Sequence, residues 1–186
     1  AYDGGRDFEY QTAVFDKTAA RYDWMFRKTP FYATPGNHEY YYPGGTTVRT
    51  PGNRSNHDID FFNIVDHFKN AEAGGEPSGT ERYYSFNQGN IHVVSLDTWG
   101  TDAAHATPAE AEASILAPGT PQRNWLRRDL QKAQADPSLH WIIVFTHMPP
   151  YSGQTHNSDV ETDLIKVREN LVPVLDSFKV DLLLTG

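Results

Sequence analysis

Residues 141–150 read Trp-Ile-Ile-Val-Phe-Thr-His-Met-Pro-Pro, in which an uninterrupted apolar run passes directly into a polar loop with a histidine and two prolines. The apolar run, Trp141 to Phe145, predicts a core strand that is buried on both faces of a sheet. In open α/β sheets, ligands bind at the carboxyl ends of the strands, because the loops converge there above a rigid backbone. The placement of His147 at this strand end therefore predicts a functional site at one edge of the sheet.

Strand and helix patterns alternate on both sides of this run. Residues 82–87 and 91–96 predict two strands joined by a turn at residues 88–90. Thr120 and Pro121 predict the cap and the first position of a helix. The other predicted strands cover residues 31–34 and 180–185, and the other predicted helices cover residues 7–28, 58–68 and 163–178. This order, with a hairpin in the middle, predicts an α/β fold with a mixed sheet.

Composition limits the classes of function. The chain has 186 residues, of which 38% are apolar, which is enough for one hydrophobic core and predicts a single domain. Its net charge of −8, with no run of basic residues, argues against nucleic acid as a bulk electrostatic partner. No apolar run approaches the roughly 20 residues needed to cross a bilayer. The absence of cysteine excludes disulfides, thiolate zinc sites, iron–sulfur clusters and cysteine nucleophiles.

Both ends of the sequence indicate a piece of a longer domain. The chain has no initiator methionine, and residues 180–186 read as a buried strand that is cut at its exit. We therefore expect residues 1–186 to be the central part of a single domain that is truncated at both ends.

A second concentration of polar residues follows the first predicted strand. Gly36-Asn37-His38-Glu39 permits a tight turn that presents an amide oxygen beside an imidazole. The Asn37 oxygen suits a divalent cation, and His38 suits a hydrogen bond to an anion or to a leaving group. The same residues also fit an ordinary Asn-His turn whose side chains cap the backbone.

Four further polar residues admit simple interpretations. His147 fits a metal ligand that binds through one ring nitrogen, and it equally fits a hydrogen-bonded histidine at a strand end. His156 lies nine residues further along in the same loop, and by itself it reads as a surface residue. Asp97 is interpreted as a turn-forming residue after a strand, and His92 as part of a polar strand face.

The motifs at residues 36–39, 144–147 and 180–186, taken in this order, resemble those of a known superfamily. The sequence resembles the calcineurin-like metallophosphoesterase superfamily, in which Gly-Asn-His-Glu/Asp, Val-x-x-His and a terminal Gly-His-x-His follow in that order. Here the first motif stands at residues 36–39, the second at residues 144–147, and the strand at residues 180–186 resembles the one that leads into the third. The Gln-x-x-Trp-Leu pattern at residues 122–126 resembles the helix that precedes Val-x-x-His. The resemblance implies two packed mixed β-sheets flanked by helices, a four-layer α/β/β/α sandwich.

Within that superfamily the sequence is most similar to purple acid phosphatases. In these enzymes the tyrosine of an early Gly-Asp-x-x-Tyr motif binds the ferric ion, and Tyr2 matches that tyrosine. They also place a substrate-facing histidine nine residues after the Val-x-x-His ligand, which is the position of His156. The resemblance therefore implies Tyr2, Asn37 and His147 as metal ligands. It implies His38 and His156 as the catalytic histidines that hold the phosphate group and assist the leaving group.

The resemblance also implies a cofactor and a reaction. The cofactor is a pair of metal ions, Fe(III) with a divalent Zn, Fe or Mn ion, whose remaining ligands lie outside this chain. The reaction is hydrolysis of small phosphate monoesters by a metal-bound hydroxide, in a secreted or periplasmic enzyme. A phosphodiesterase or nucleotidase of the same superfamily is one alternative, because ester class depends on loop shape rather than on metal ligands. A non-catalytic binding protein that kept the fold is another.

Overall fold

The β-sheet is the element that positions the candidate site. The computed structural model describes residues 7–15, 25, 28–36, 72–98, 116–153 and 155–186. Within these residues the sheet has four strands in the spatial order β1-β2-β3-β4. The strands are β1 (Tyr84–Gln88), β2 (Ile91–Leu96), β3 (Trp141–Thr146) and β4 (Leu182–Thr185).

Helices alternate with the later strands along the chain. The first helix, α1 (Asp7–Tyr10), continues into a π-helical turn (Gln11–Phe15), and Glu72–Gly74 form a short 3-10 turn. The two longer described helices are α2 (Pro121–Ala135), which precedes β3, and α3 (Thr162–Ser177), which precedes β4. Each of these helices lies in a crossover connection between parallel strands, as parallel pairing requires.

The register brings three strand ends to one edge of the sheet. β1 pairs antiparallel with β2, whereas β2 with β3 and β3 with β4 pair parallel. Leu96 of β2 is paired with Thr146 of β3, which is paired in turn with Thr185 of β4. The loops that leave these three strands therefore start side by side. We call this boundary of the sheet the carboxyl edge.

The hydrophobic core joins one face of the sheet to α2 and α3. Thr120 caps α2 by accepting a hydrogen bond from the Arg123 N–H at 3.4 Å, and Pro121 takes the first helical position, where a backbone N–H has no helical partner. The Arg123 guanidinium also donates to the Asn170 carbonyl of α3 at 2.9 Å, so the two helices lie against each other. The buried apolar residues of this core include Val94, Leu96, Trp125, Leu126, Leu130, Ile142, Val144, Leu164, Val167, Leu171 and Val174.

The predicted α/β fold with a mixed sheet is confirmed, but the predicted burial of two strands is wrong. In β3, Ile142 and Val144 are buried, whereas Trp141 is 54% exposed. In β4, Leu182 and Leu184 are 45% and 50% exposed. The two longer helices, α2 and α3, pack on the same face of the sheet, and the exposed side chains of β3 and β4 lie on these strands away from that core. The described residues form one sheet, and the second sheet of the four-layer sandwich stays a prediction.

The predicted strand at residues 31–34 is also wrong. Pro30 and Pro35 flank this segment and have no N–H group to donate to a sheet ladder. Side chains hold it instead, because the Tyr84 hydroxyl donates to the Ala33 carbonyl at 2.7 Å. Burial raises the pKa of Tyr84 well above its ordinary value, so this hydroxyl stays protonated and remains a donor.

The predicted helix over residues 7–28 is confirmed where it begins. It forms as α1 and the π-helical turn, and Met25 is again helical. The rest of that helix and the predicted helix at residues 58–68 lie outside the described residues. Of the helices that the structure describes, none is long and apolar enough to span a membrane.

Candidate functional site

His147 lies at the middle of the carboxyl edge, directly after β3. Its backbone carbonyl accepts a hydrogen bond from the Gly186 N–H at 3.3 Å, which joins the loop after β3 to the end of β4. Its ring nitrogen Nδ1 lies 4.0 Å from the position that a Cβ atom would take on Gly186. The half-buried imidazole is therefore held beside the end of the neighbouring strand.

Two buried threonines fix the backbone on both sides of His147. The Thr146 hydroxyl donates to the Thr98 Oγ1 at 2.9 Å, and the Met148 N–H donates to the same oxygen at 3.1 Å. Thr98 and Thr146 are 1% and 2% exposed, so water does not compete for these hydrogen bonds. The loop after β2 is thereby tied to the loop after β3.

Gln122 of α2 fixes Asp97, the residue that directly follows β2. The Asp97 N–H donates to Gln122 Oε1 at 2.9 Å, and Gln122 Nε2 donates to the Asp97 carbonyl at 2.7 Å. Both residues are buried, and Asp97, which the sequence suggested to be a turn-forming residue after a strand, has both of its backbone polar groups bonded to Gln122. Gln122 was not predicted to be a site residue. The available signals were the Gln-x-x-Trp-Leu pattern that begins with it and its position on the apolar stripe of α2, three residues before Trp125 and four before Leu126.

The segment that precedes Asn37 and His38 is anchored at the same edge. The Thr34 hydroxyl donates to the Leu96 carbonyl at 2.7 Å, at the end of β2. This hydrogen bond brings the chain to the carboxyl edge three residues before Asn37 in the sequence. Asn37 and His38, like Tyr2, lie outside the described residues, so their roles stay predictions.

His156 lies in an exposed turn just before α3, and its side chain is 73% exposed. Its Nδ1 is 3.0 Å from Glu161 Oε2, and the Asn157 N–H donates to Glu161 Oε1 at 2.9 Å. The hydrogen bond with His156, and then that from Asn157, lower the pKa of Glu161 below its ordinary value. The described hydrogen bond of His156 is thus with Glu161, and none joins it to His147.

The side chain of His147 fits a divalent metal ion, since a neutral imidazole on a rigid strand end is a common ligand. Among the side chains that the structure describes, no group of three or more His, Cys, Asp or Glu residues could hold an ion. A complete site therefore needs ligands from elsewhere in the protein. Tyr2 and Asn37 are the two that the sequence predicts.

His92 belongs to a buried polar network, so its interpretation as part of a polar strand face is wrong. It is 2% exposed, with Nδ1 at 2.7 Å from Asn87 Oδ1 and Nε2 at 2.9 Å from Asp129 Oδ2. Asp129 Oδ1 also accepts hydrogen bonds from the Ser85 hydroxyl at 2.5 Å and from the Glu76 N–H at 3.2 Å. His92 is buried because α2 covers it with the Asp129 carboxylate. The network lies toward the amino end of β2, away from the carboxyl edge.

Comparison with known proteins assigns the family. A model of the calcineurin-like phosphoesterases matches residues 2–186, nearly the whole chain. This chain belongs to the calcineurin-like phosphoesterase family. Members of this family generally bind two metal ions. This property of the family agrees with a metal-competent histidine at the carboxyl edge.

Purple acid phosphatases are among the relatives. The chain is 26% identical to purple acid phosphatase 15 of Arabidopsis thaliana, over 95% of this chain and 29% of that protein. It is 29% identical to purple acid phosphatase 21 of the same plant, over 70% of this chain and 28% of that protein. An uncharacterised protein of Mycobacterium tuberculosis is 24% identical over 97% of this chain and 32% of its own length. The chain thus spans about a third of these relatives or less.

A solved structure supports the fold. The purple acid phosphatase isolated from yellow lupin (Lupinus luteus) seeds is similar with a TM-score of 0.50 and 18% identity, over 82% of this chain and 24% of that one. At this identity the likeness concerns the fold alone. It agrees with a mixed sheet flanked by helices.

Proposed function

We propose that this chain is part of a dinuclear metal-dependent phosphatase of purple acid phosphatase type, which hydrolyses phosphate monoesters. The observation that carries the proposal is the position of His147. In a family that binds metal ions, this imidazole stands at the carboxyl edge, beside the end of β4, with its backbone fixed on both sides. A ligand held this firmly needs little reorganisation to bind an ion.

The proposed metal ligands of this chain differ in chemistry, as two different ions require. His147 and Asn37 supply an imidazole and an amide oxygen for the divalent ion, and Tyr2 supplies a phenolate for the ferric ion. When bound, such a pair of ions supplies a nucleophile from water near neutral pH and neutralises charge on the phosphoryl oxygens. The remaining ligands come from outside this chain.

The proposed catalytic residues of this chain are His38 and His156, which hold the phosphate group and deliver a proton to the leaving group. In the structure, Nδ1 of His156 bonds to Glu161, which leaves Nε2 as the ring nitrogen for a phosphate oxygen. The lowered pKa of Glu161 keeps its carboxylate charged into the acidic range, so the pair persists where an acid phosphatase works.

The experiment that tests this proposal compares two substrates. The full-length protein is assayed with nitrophenyl phosphate and with bis(nitrophenyl) phosphate, as purified, after removal of metals by a chelator, and after restoration with Fe³⁺ and Zn²⁺. We expect the monoester to be the better substrate, with turnover lost on chelation and regained on restoration. A preference for the diester would favour the phosphodiesterase alternative. Turnover that survives complete metal removal would contradict the proposal.

A secreted or periplasmic location is also proposed, on the resemblance to purple acid phosphatases. Its test is fractionation of the source cells followed by detection of the full-length protein with a specific antibody. Recovery in the medium or the periplasm is expected, and recovery in the cytoplasm alone would contradict the proposed location.

A further inference from the structure

We infer that Thr98 and Gln122 are positioning residues that hold the backbone of His147 in the geometry needed to bind a metal ion. The inference deepens the proposed function and rests on it, because it takes His147 to be a ligand. Neither residue has been assigned a role by the sequence motifs. Both act through hydrogen bonds to backbone and hydroxyl groups rather than by touching a metal or a substrate.

The first step is the contact between α2 and the end of β2. Gln122 stands in the first turn of α2, and its amide group bonds to both backbone polar groups of Asp97, at 2.9 Å and 2.7 Å. Gln122 is 1% exposed and Asp97 is 0% exposed. A side-chain amide that matches one N–H donor and one C=O acceptor sets both the position and the direction of the chain there. The residue that follows is Thr98.

The second step is the contact between Thr98 and the loop after β3. The Thr98 side-chain oxygen accepts hydrogen bonds from the Thr146 hydroxyl and from the Met148 N–H. Thr146 and Met148 are the residues immediately before and after His147. One buried oxygen therefore fixes the chain on both sides of the histidine. The Gly186 N–H adds a third restraint by donating to the His147 carbonyl.

These contacts form one continuous path from α2 to His147. Gln122 fixes Asp97, Asp97 is bonded covalently to Thr98, and Thr98 fixes the two neighbours of His147. Outer partners that orient metal ligands typically contribute about 10-fold to 100-fold to metal affinity. We therefore expect the loss of the Thr98 hydroxyl to weaken metal binding while the sheet stays folded.

Two substitutions at position 98 distinguish a role of Thr98 in positioning the His147 loop from a role in packing alone. Valine has nearly the same shape as threonine but offers no acceptor, so the Met148 N–H and the Thr146 hydroxyl would lose their shared partner. Serine keeps the acceptor and loses only a methyl group. Thr98→Val should therefore release the loop around His147, and Thr98→Ser should keep it in place.

The experiment measures Zn²⁺ affinity of the metal-free full-length protein by competition with a chromophoric chelator, together with its thermal midpoint. The variants are Thr98→Val, Thr98→Ser, Gln122→Met and His147→Ala. Ser85→Ala is the matched control, because it removes another buried hydroxyl that bonds to α2 away from the carboxyl edge. We expect Thr98→Val and Gln122→Met to weaken Zn²⁺ binding about tenfold or more, while Thr98→Ser and Ser85→Ala bind like the parent.

The outcomes separate this inference from the proposed function. If His147→Ala loses Zn²⁺ affinity but Thr98→Val and Gln122→Met keep it within threefold of the parent, the positioning role is wrong and the ligand assignment stands. If His147→Ala itself binds Zn²⁺ like the parent, the ligand assignment is wrong. If Ser85→Ala weakens binding as much as Thr98→Val at an equal loss of thermal midpoint, the effect is general destabilisation and the positioning role is again wrong.

Discussion

Two histidines that the structure describes, one proposed as a metal ligand and one as a catalytic residue, have different surroundings. His147 is half-buried at a strand end, whereas His156 is on the surface and bonds to Glu161. A ligand benefits from a rigid backbone, and a proton donor benefits from access to the substrate. These surroundings agree with the proposed roles of His147 as a metal ligand and of His156 as a contact to a phosphate group.

Replacement of His156 by alanine should reduce turnover about 100-fold or more while both metals stay bound, because a general acid contributes to the chemical step rather than to metal affinity. The measurements are kcat and metal content on the same sample. His140→Ala is the matched control, since His140 is also exposed and its described side-chain contact is with Asn90. Loss of metal from the His156 variant would show that its role is wrong.

The pKa of Glu161 should depend on the same histidine. His156 is the first cause of the lowered pKa and the Asn157 N–H is the second, so His156→Asn should move the pKa of Glu161 up toward its ordinary value without restoring it fully. Because the pKa of Glu161 is depressed, the stabilisation from its carboxylate is present above the ordinary carboxyl pKa and is lost as the pH falls through the folded-state pKa of Glu161. A carboxyl ¹³C NMR titration measures this, and an unchanged midpoint would contradict the pairing.

At the element scale, α2 carries two polar side chains on its apolar stripe, and each connects the helix to the sheet. Gln122 bonds to the end of β2, and Asp129 bonds to His92 near the start of β2 and to Ser85 of β1. Apolar packing alone allows a helix to slide along a sheet, whereas buried hydrogen bonds require one arrangement. The two contacts fix α2 relative to the sheet at both ends of β2.

Removal of Asp129 should be costly for stability. Asp129→Ala leaves His92 and Ser85 buried without their shared partner, so we expect the free energy of unfolding to fall by about 3 kcal/mol. Glu169→Ala is the matched control, because this exposed carboxylate on α3 should change stability by less than about 0.5 kcal/mol. Denaturant unfolding measures both variants. A loss below about 1 kcal/mol in Asp129→Ala would show that the network contributes little.

The elements that the sequence predicted correctly have local signals. The Thr120 cap and Pro121 indicated the start of α2, and the turn residues 88–90 between two predicted strands indicated the hairpin. The wrong predictions concern residues whose hydrogen-bond partners are far away in the sequence. His92 looked like part of a polar face because its partner Asp129 is 37 residues away. The predicted strand at residues 31–34 was wrong because the described hydrogen bonds between this segment and the sheet use side chains rather than a backbone ladder. The Tyr84 hydroxyl donates to the Ala33 carbonyl, and the Thr34 hydroxyl donates to the Leu96 carbonyl.

In the candidate site of the whole molecule, too, features with a local sequence signal were predicted, and features that depend on distant contacts were not. The motif around His147 is local, and the structure places this residue at the carboxyl edge as the sequence predicted. The Gln122 and Thr98 contacts form only when α2, β2 and β3 pack together. The pattern at residues 122–126 marked the helix that contains Gln122, but it did not indicate the partner of that side chain. Tyr2, Asn37 and His38 lie outside the described residues, and their roles remain predictions.

Elemental analysis of the full-length protein, purified without chelator, tests whether this chain contributes to a dinuclear metal centre, and a visible spectrum is taken on the same sample. We expect two metal ions per polypeptide, one of them iron, with a violet tyrosinate-to-ferric band. Two metals without that band would keep the phosphoesterase and remove Tyr2 as a ligand. A protein that carries no metal and takes up neither Fe³⁺ nor Zn²⁺ would rule out the proposed dinuclear centre.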